Sequence, residues 1–523
     1  MTLVPFFPPR SDELTQGYFA RMGHIHALTD VGGFLRYSGI SVSDFRMGTD
    51  RFIDQVHELT GADRATLKRN TLVTYPGIKG LKEGASAING NLLSGHIVRR
   101  LALNVCPECL IDDQRSCWPE GPDQMTLRVP WLFRQVVVCP VHQRALKIVR
   151  MTDSVWGLDM ARTIIRAEFN PAHHLIAKEP REVGALQKYV TSRILENDRK
   201  FPWLDGQTVS QAAKACEMLG CLIADGATAD IINYTDADWA RVGDVGFEVA
   251  SQGAQAILEE LSRIRVNSGR TSGRAGPQAV FGKLYTWLGS SALRAQAGPI
   301  CDIVREAIIA NFPVGPGEVI FGEVVKARVV HSANTLINKT GRNRKRFYKL
   351  LTKLGYIPDT RDAIATNQFV FPAEEVERVV ERIENSVRLN QIRHVLGCSR
   401  TNAETLAAAG IVVSVVPMTE GEGVGVTVGT YNRDDLKSLL DDLCSPAVVV
   451  DDLPATHVGF RRACKRAPCV SLVNWQRQGL LKNTVHVGTE RRIDRLGFDV
   501  AELRQVILTS TTGRKAPVAR ESA

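Results

Sequence analysis

In the stretch PFFPPRSDELTQGYFARMGHI, Leu14, Tyr18, Met22 and Ile25 recur at helical spacing. This predicts an amphipathic helix near the start of the chain, with Ser11 as its cap. A second short helix is expected from Asp30, and helical character continues over Asp50 to Leu59. The apolar run Val136, Val137, Val138 reads as a strand, and the neighbouring Trp131, Leu132 and Phe133 read as core. Further along, ACEMLGCLI, LLTKLGYI, TLAAAGIV and NWQRQGLL each carry an apolar helical pattern to a glycine, Gly220, Gly355, Gly410 and Gly479. A glycine there can take the left-handed conformation that closes a helix. Ahead of the last three stand SANTLINKTG, IRHVLGCS and FRRACKRAPC, each a shorter helix and a turn. Helix, turn, helix, glycine is the plan of a helix-turn-helix unit, and equally of a hairpin that only packs. The fold class expected is mainly α.

Charge separates these units. From Ser332 to Pro358 there is no acid, while Lys339, Arg342, Arg344, Lys345, Arg346, Lys349 and Lys353 are all basic. On a helix beginning near Arg342, Phe347, Leu350, Leu351 and Leu354 share one face. Lys345, Tyr348, Lys349, Thr352 and Lys353 are left on the other. A solvated face usually mixes signs, whereas a single-sign strip on the second helix of such a unit suits a DNA major groove and its phosphates. In the next unit Ser399 can cap a second helix carrying Arg400 and Asn402, and in the last Asn474 and Arg477 are expected to face outward. The acidic stretches ERIEN and RDDLKSLLDDL are better suited to solvent or to a protein partner.

At 523 residues with 44% hydrophobic content, the chain has room for several domains, each with its own core. A formal charge of +9 fits a phosphate-bearing partner such as double-stranded DNA. The longest apolar runs fall short of the roughly 18 residues of a membrane span, so no membrane association is expected. The start, MTLVPFFPPRSDE, lacks the basic and apolar regions that mark export. With an odd number of cysteines, 11, the expectation is a reducing cytoplasm, in association with the nucleoid.

The most specific chemistry lies in CPECLIDDQRSCW, beginning at Cys106, and CPVH, ending at His142. Two residues between ligands let a tight knuckle aim both side chains at one point, and two knuckles supply the four corners that Zn²⁺ prefers. Cys106, Cys109, Cys139 and His142 therefore form the expected site for one structural zinc. Cys117 is a spare ligand in reserve, and the other cysteines read as core. Four protein ligands close the coordination shell against water, which argues against a catalytic metal. A nucleobase deaminase would need H-x-E and P-C-x-x-C, but Val105 precedes Cys106, and His96 is followed by Ile97 and Val98. No HExxH helix or phosphate loop occurs, so no enzyme is expected.

The helix DELTQGYFARMG, the phrase CPECLIDD followed by WLFRQVVVCPVHQRAL, and the helix-turn-helix units downstream together resemble the TniQ/TnsD family of transposition proteins. Leu110, Asp112, Asp113, Trp131 and Leu146 match the family phrase around the metal ligands. The likeness lies almost wholly in the first 150 residues. It implies a DNA-binding adaptor that selects transposon target sites and recruits an AAA+ transposition ATPase. Some relatives dimerise and dock on an RNA-guided CRISPR effector, which adds a homodimer and such a complex to the expected partners. A second cysteine pair common in the family is missing after Leu146. The expected organisation is a TniQ-like zinc-finger domain over 1–150, a helical connecting domain over 151–270, and a helix-turn-helix domain with the basic helix over 271–385. Tandem helix-turn-helix units then fill 386–510, and 511–523 is a disordered tail. The competing reading is a zinc-containing transcriptional regulator acting on a fixed operator. A metal-dependent nuclease would have to use Asp112 and Asp113, adjacent carboxylates on a loop that would point apart.

Overall fold

A computed structural model describes residues 3–4, 6–26, 30–75, 85–99, 101–116, 120–151, 158–175, 180–268, 276–341, 343–357, 369–416 and 429–512. The fold is mainly helical, with small sheets. The described residues fall into two compact units that divide between Ala327 and Arg328.

In the first unit, helices Thr15–Ile25, Val31–Ser38, Val42–Met47 and Asp50–Thr60 close around Phe19, Phe34, Phe45 and Phe52. The second of these starts where the sequence places it, Asp30 accepting from the Gly33 amide at 2.7 Å. The first starts later than expected. Its N-cap is Leu14, and Ser11 makes no cap. The reason lies in the backbone: residues 12–14 are held extended by Glu13 bridging to Arg128, by the Leu14 amide on Leu127 (2.8 Å) and by the Val129 amide on Asp12 (2.8 Å).

Strand Ala102–Val105 runs antiparallel to Lys147–Arg150, with Val105 opposite Lys147. The expected strand over Val136 to Val138 does not form beyond a single bridge, Val138 to Ala145. The Gln187 side chain takes its backbone groups instead. Its Oε1 accepts from the Val137 and Val138 amides at 3.0 and 3.1 Å, and its Nε2 donates to the Val138 carbonyl at 2.6 Å. Helices Ala185–Leu195, Val209–Asp225, Asp236–Ala250, Ala254–Asn267, Pro277–Gly289 and Ile300–Asn311 share with Leu103, Val105 and Val149 of this strand pair a second hydrophobic core, separate from the Phe19 cluster. Gly220 does not end a helix. It lies inside Val209–Asp225, where a Cβ would fall 1.7 Å from the Val242 carbonyl oxygen. A Cβ at the facing Gly246 would fall 1.9 Å from that of Cys216. The glycine serves a close helix crossing.

The second unit repeats one plan three times. Each repeat opens with a short strand, Val330–Ser332, Ser386–Arg388 or His457–Gly459, leading directly into the first helix of a pair. The pairs are Ala333–Thr340 with Arg344–Lys353, Leu389–Leu396 with Arg400–Ala408, and Phe460–Ala463 with Cys469–Arg477. Gly355, Gly410 and Gly479 follow at φ +80°, +70° and +70°, the helix-closing conformation the sequence predicts. A return strand, Val370–Pro372, Thr430–Asn432 or Leu496–Asp499, then pairs antiparallel with the opening one. Each return strand feeds a further helix, Ala373–Glu384, Arg433–Cys444 or Val500–Thr512. A buried aromatic, Phe371, Tyr431 or Phe498, sits at the centre of each return strand. A buried aliphatic, Val376, Leu436 or Leu503, follows at the same offset. The first repeat has a core of its own, whereas the second and third share one. Residues 511 and 512 of the expected tail belong to the last helix, and the remainder lies outside the described residues. Among the described residues no helix is long and apolar enough to cross a membrane.

Candidate functional site

Cys106, Cys109, Cys139 and His142 come together, their ligand atoms all within 4.8 Å of one another. The first knuckle is built by a strand ending at Val105 and a helix, Pro107–Arg115, that begins immediately after it. Cys106 is the N-cap of that helix, Pro107 occupies its first turn, and Cys109 follows on the same turn. Both thiols thus sit at a helix N-terminus, whose dipole favours the thiolate. The second knuckle is a tight turn: the Gln143 amide donates to the Cys139 carbonyl at 2.9 Å, and Gln143 takes φ +51°. The strand leaving that turn pairs with the one entering the first, so a single two-stranded sheet fixes the separation of the knuckles.

The distances test whether a metal fits. His142 Nδ1 lies 3.5, 3.3 and 3.6 Å from the Sγ atoms of Cys106, Cys109 and Cys139, and Cys109 and Cys139 are 3.6 Å apart. A tetrahedron with metal–sulfur bonds of about 2.3 Å and metal–nitrogen bonds of about 2.0 Å has edges of about 3.5 to 3.8 Å. These four edges lie close to that shape, and with all the ligand atoms within 4.8 Å of one another the quartet can hold a metal ion. Crowding also sets the protons. Hydrogen bonds from Cys106 and Cys109 push the Cys139 thiol well down, while that same crowding pushes the Cys109 thiol up. The Cys106 thiol is pushed up as well, so making all three sulfurs thiolates at once would take a cation to neutralise them.

The surroundings orient the ligands. His142 Nε2 lies 3.0 Å from the Asp112 carboxylate, so the carboxylate holds the proton on Nε2 and leaves the Nδ1 lone pair facing the sulfurs. The next residue does something else. Asp113 is fully buried, receives both terminal nitrogens of Arg128 at 2.9 and 2.8 Å, and accepts from the Thr126 amide at 3.0 Å. Arg10 lies 3.1 Å from its Oδ1. Both acids lie on the Pro107–Arg115 helix, not on the loop expected from the sequence, and they do point apart. Cys117, the spare ligand, lies outside the described residues. Nothing in the sequence pattern singled out Arg128 or Arg10; the signal available was only an arginine on each side of the DD pair.

The residues expected to face DNA are distributed unevenly. On Arg344–Lys353, Arg344, Lys345 and Lys349 are exposed, and Phe347 and Leu351 are buried as predicted. Arg344 stacks over Tyr348 at 5.6 Å. Tyr348 is half-buried, its hydroxyl reaching Asn334 at 3.3 Å. Thr352 is half-buried and returns its hydroxyl to the Tyr348 carbonyl, and Lys353 is half-buried. Lys339 is neutralised by Glu377 at 2.7 Å. Arg342 and the side chain of Arg346 lie outside the described residues. In the second repeat Arg400 is exposed but paired with Glu404. Asn402 turns inward, its Nδ2 3.8 Å from Cys464 Sγ. In the third, Asn474 is half-buried and Arg477 is exposed, 3.6 Å from Asp442.

Residues 4–146 match the TniQ family model, a span that ends just beyond the second knuckle. No curated protein matches the chain. The helical aromatic cluster, the Cys₃His quartet and its two acids all fall inside the matched span, so the chain carries a TniQ region, which indicates an association with transposition.

Proposed function

We propose that this protein is a non-enzymatic adaptor that binds duplex DNA at a chosen target and recruits the AAA+ ATPase of a transposition machinery. Its metal is a structural Zn²⁺ held by Cys106, Cys109, Cys139 and His142, a soft thiolate and imidazole set that suits that ion. Bound there, zinc supplies counter-charge to the thiolates and a cross-link between the two knuckles.

One observation carries the DNA part of the proposal. The chain that contains the TniQ region also contains a helix-turn-helix pair whose second helix turns Arg344, Lys345 and Lys349 to solvent, and among the described residues none of the three has a carboxylate partner. Asp112 and Asp113, the acids a nuclease would need, are engaged with His142 and Arg128, which favours an adaptor over a cleaving enzyme.

The test is a binding titration with the full chain. Lys345→Ala with Lys349→Ala should weaken affinity on every duplex and reduce the salt slope by about 0.9 for each phosphate no longer neutralised. Unchanged affinity and slope would return this helix to a merely solvated face. Recruitment is tested separately by capture of the ATPase on DNA with and without this protein; ATPase that arrives equally well alone would defeat the adaptor role.

A further inference from the structure

The second helix of the third repeat is poorly placed to read bases. Leu472, Val473 and Gln476 are buried, and Gln476 is committed to the Leu443 carbonyl at 3.2 Å and to the Thr484 hydroxyl at 2.8 Å. Ser471, Asn474 and Trp475 are half-buried, and the exposed Arg477 has Asp442 beside it. The second repeat's second helix stands against the turn preceding it, through Asn402 and Cys464. Little of that helix is left for a groove.

The basic surface of this repeat lies on its first helix and turn. Arg461, Arg462, Lys465 and Arg466 are all exposed, and among the described residues none has a carboxylate within ion-pair distance. The contrast within the repeat is sharp. Arg477, Arg491, Arg492 and Arg495 each lie against an acid, namely Asp442, Asp441, Asp494 and Glu490. The Cys464 amide reaches the Phe460 carbonyl at 2.9 Å and the Ala467 amide the Ala463 carbonyl at 3.1 Å, so helical pitch persists through the turn. That pitch sets Arg461 beside Lys465 and Arg462 beside Arg466. Like charges at this spacing repel, and an anionic partner would turn the repulsion into attraction. Between Arg461 and Arg466 there is no Asn, Gln, Ser or Thr, so this surface has no amide contact to adenine to offer, and guanine is the one base its charged side chains could identify.

We infer that the third repeat grips the phosphate backbone of duplex DNA through Arg461, Arg462, Lys465 and Arg466, acting as a sequence-independent anchor while its second helix remains in the core. This rests on the DNA-binding role proposed above and reassigns the contact in this repeat away from Asn474 and Arg477. Phosphate contacts fix position and register without carrying sequence information. The anchor therefore adds affinity equally on all sequences.

The experiment compares three forms of the full chain on several duplexes over a range of salt. Replacing all four residues by alanine should lower the salt slope by about 0.9 for each phosphate released, and lower affinity roughly eight-fold per phosphate at 0.1 M salt, equally on every duplex. Arg461→Lys, Arg462→Lys and Arg466→Lys together should retain most of the affinity, because a phosphate needs charge, not the planar fork by which arginine identifies guanine. The melting temperature of the alanine form should not fall, as the four side chains are exposed and their repulsion is removed. If the native chain binds DNA and the alanine form binds with the same affinity and slope, the anchor is wrong while the function stands. If the lysine form loses preference for one duplex, the cluster reads bases and the anchor is again wrong. If the native chain binds no duplex at all, the proposed function itself fails.

Discussion

Asp112 and Asp113 are adjacent on one helix, yet their environments give them different tasks. Asp112 is largely exposed and works only through His142. Asp112→Asn should therefore leave folding intact but weaken metal affinity by about ten-fold, the low end for a carboxylate behind a ligating histidine. Chelator competition measures this, and an unchanged affinity would remove Asp112 from the site. Asp113 is buried under Arg128 and near Arg10. Asp113→Ala strands the Arg128 guanidinium, which stacks on Trp131 at 4.9 Å and, among the described residues, has only Asp12, at 3.6 Å, as another acid within ion-pair distance. The cost expected is about 3–5 kcal/mol, as for a buried pair with one partner removed. Denaturant unfolding of the two variants should separate them cleanly; a mild effect at Asp113 would mean that Arg128 finds water or Asp12 sufficient.

At the scale of elements, glycines placed alike in sequence serve different ends. Gly220→Ala would drive a Cβ into the Val242 carbonyl, so despite a gain in helix propensity of up to about 1 kcal/mol the net loss should be about 2 kcal/mol or more. Gly355 has φ +80°, and nothing lies within 4 Å of where a Cβ would stand, so Gly355→Ala should cost only the left-handed penalty of about 1–2 kcal/mol. Equal losses at the two sites in thermal unfolding would refute this distinction. The sequence could not tell them apart, because both glycines end an apolar helical phrase and only the crossing helix distinguishes them. The metal quartet was legible, since Cys-Pro-x-Cys and Cys-Pro-x-His encode their own geometry locally. The helix from Asp30 was equally plain, its cap and start being one residue. The strands of the three repeats were not: each spans three or four residues, too few to show alternation, and their partners lie far along the chain. Phe371, Tyr431 and Phe498, each followed at one fixed offset by a buried aliphatic, form a repeat that becomes visible in the sequence only once the pairing is known.

For the whole molecule, the division of cores decides what depends on the metal. Cys106, Cys109 and Cys139 belong to a hydrophobic core that runs from Leu14 through Phe281, Leu288, Ile308 and Phe312 to Val325. Residues 277–327 were grouped by sequence with the basic helix, yet they pack with the first unit. A zinc finger standing alone unfolds without its ion because it has little else to hold it. Here the surrounding core is large, so stripping the metal should destabilise the first unit without abolishing it. The shift expected is about 4 kcal/mol for a site held at a thousand times its dissociation constant. The second unit has separate cores and no member of the quartet. Residues 328–523 expressed alone should therefore fold cooperatively and melt at the same temperature with or without chelator. A fragment beginning at residue 271 should instead aggregate, because Phe281, Leu284, Leu288 and Ile308 would be without the core they fill. In the full chain, chelator should shift one of two unfolding transitions and leave the other in place. A single transition moving as a whole would show that the metal supports the entire chain, and a well-behaved 271–523 fragment beside an unfolded 328–523 fragment would show that the boundary at Ala327 is misplaced.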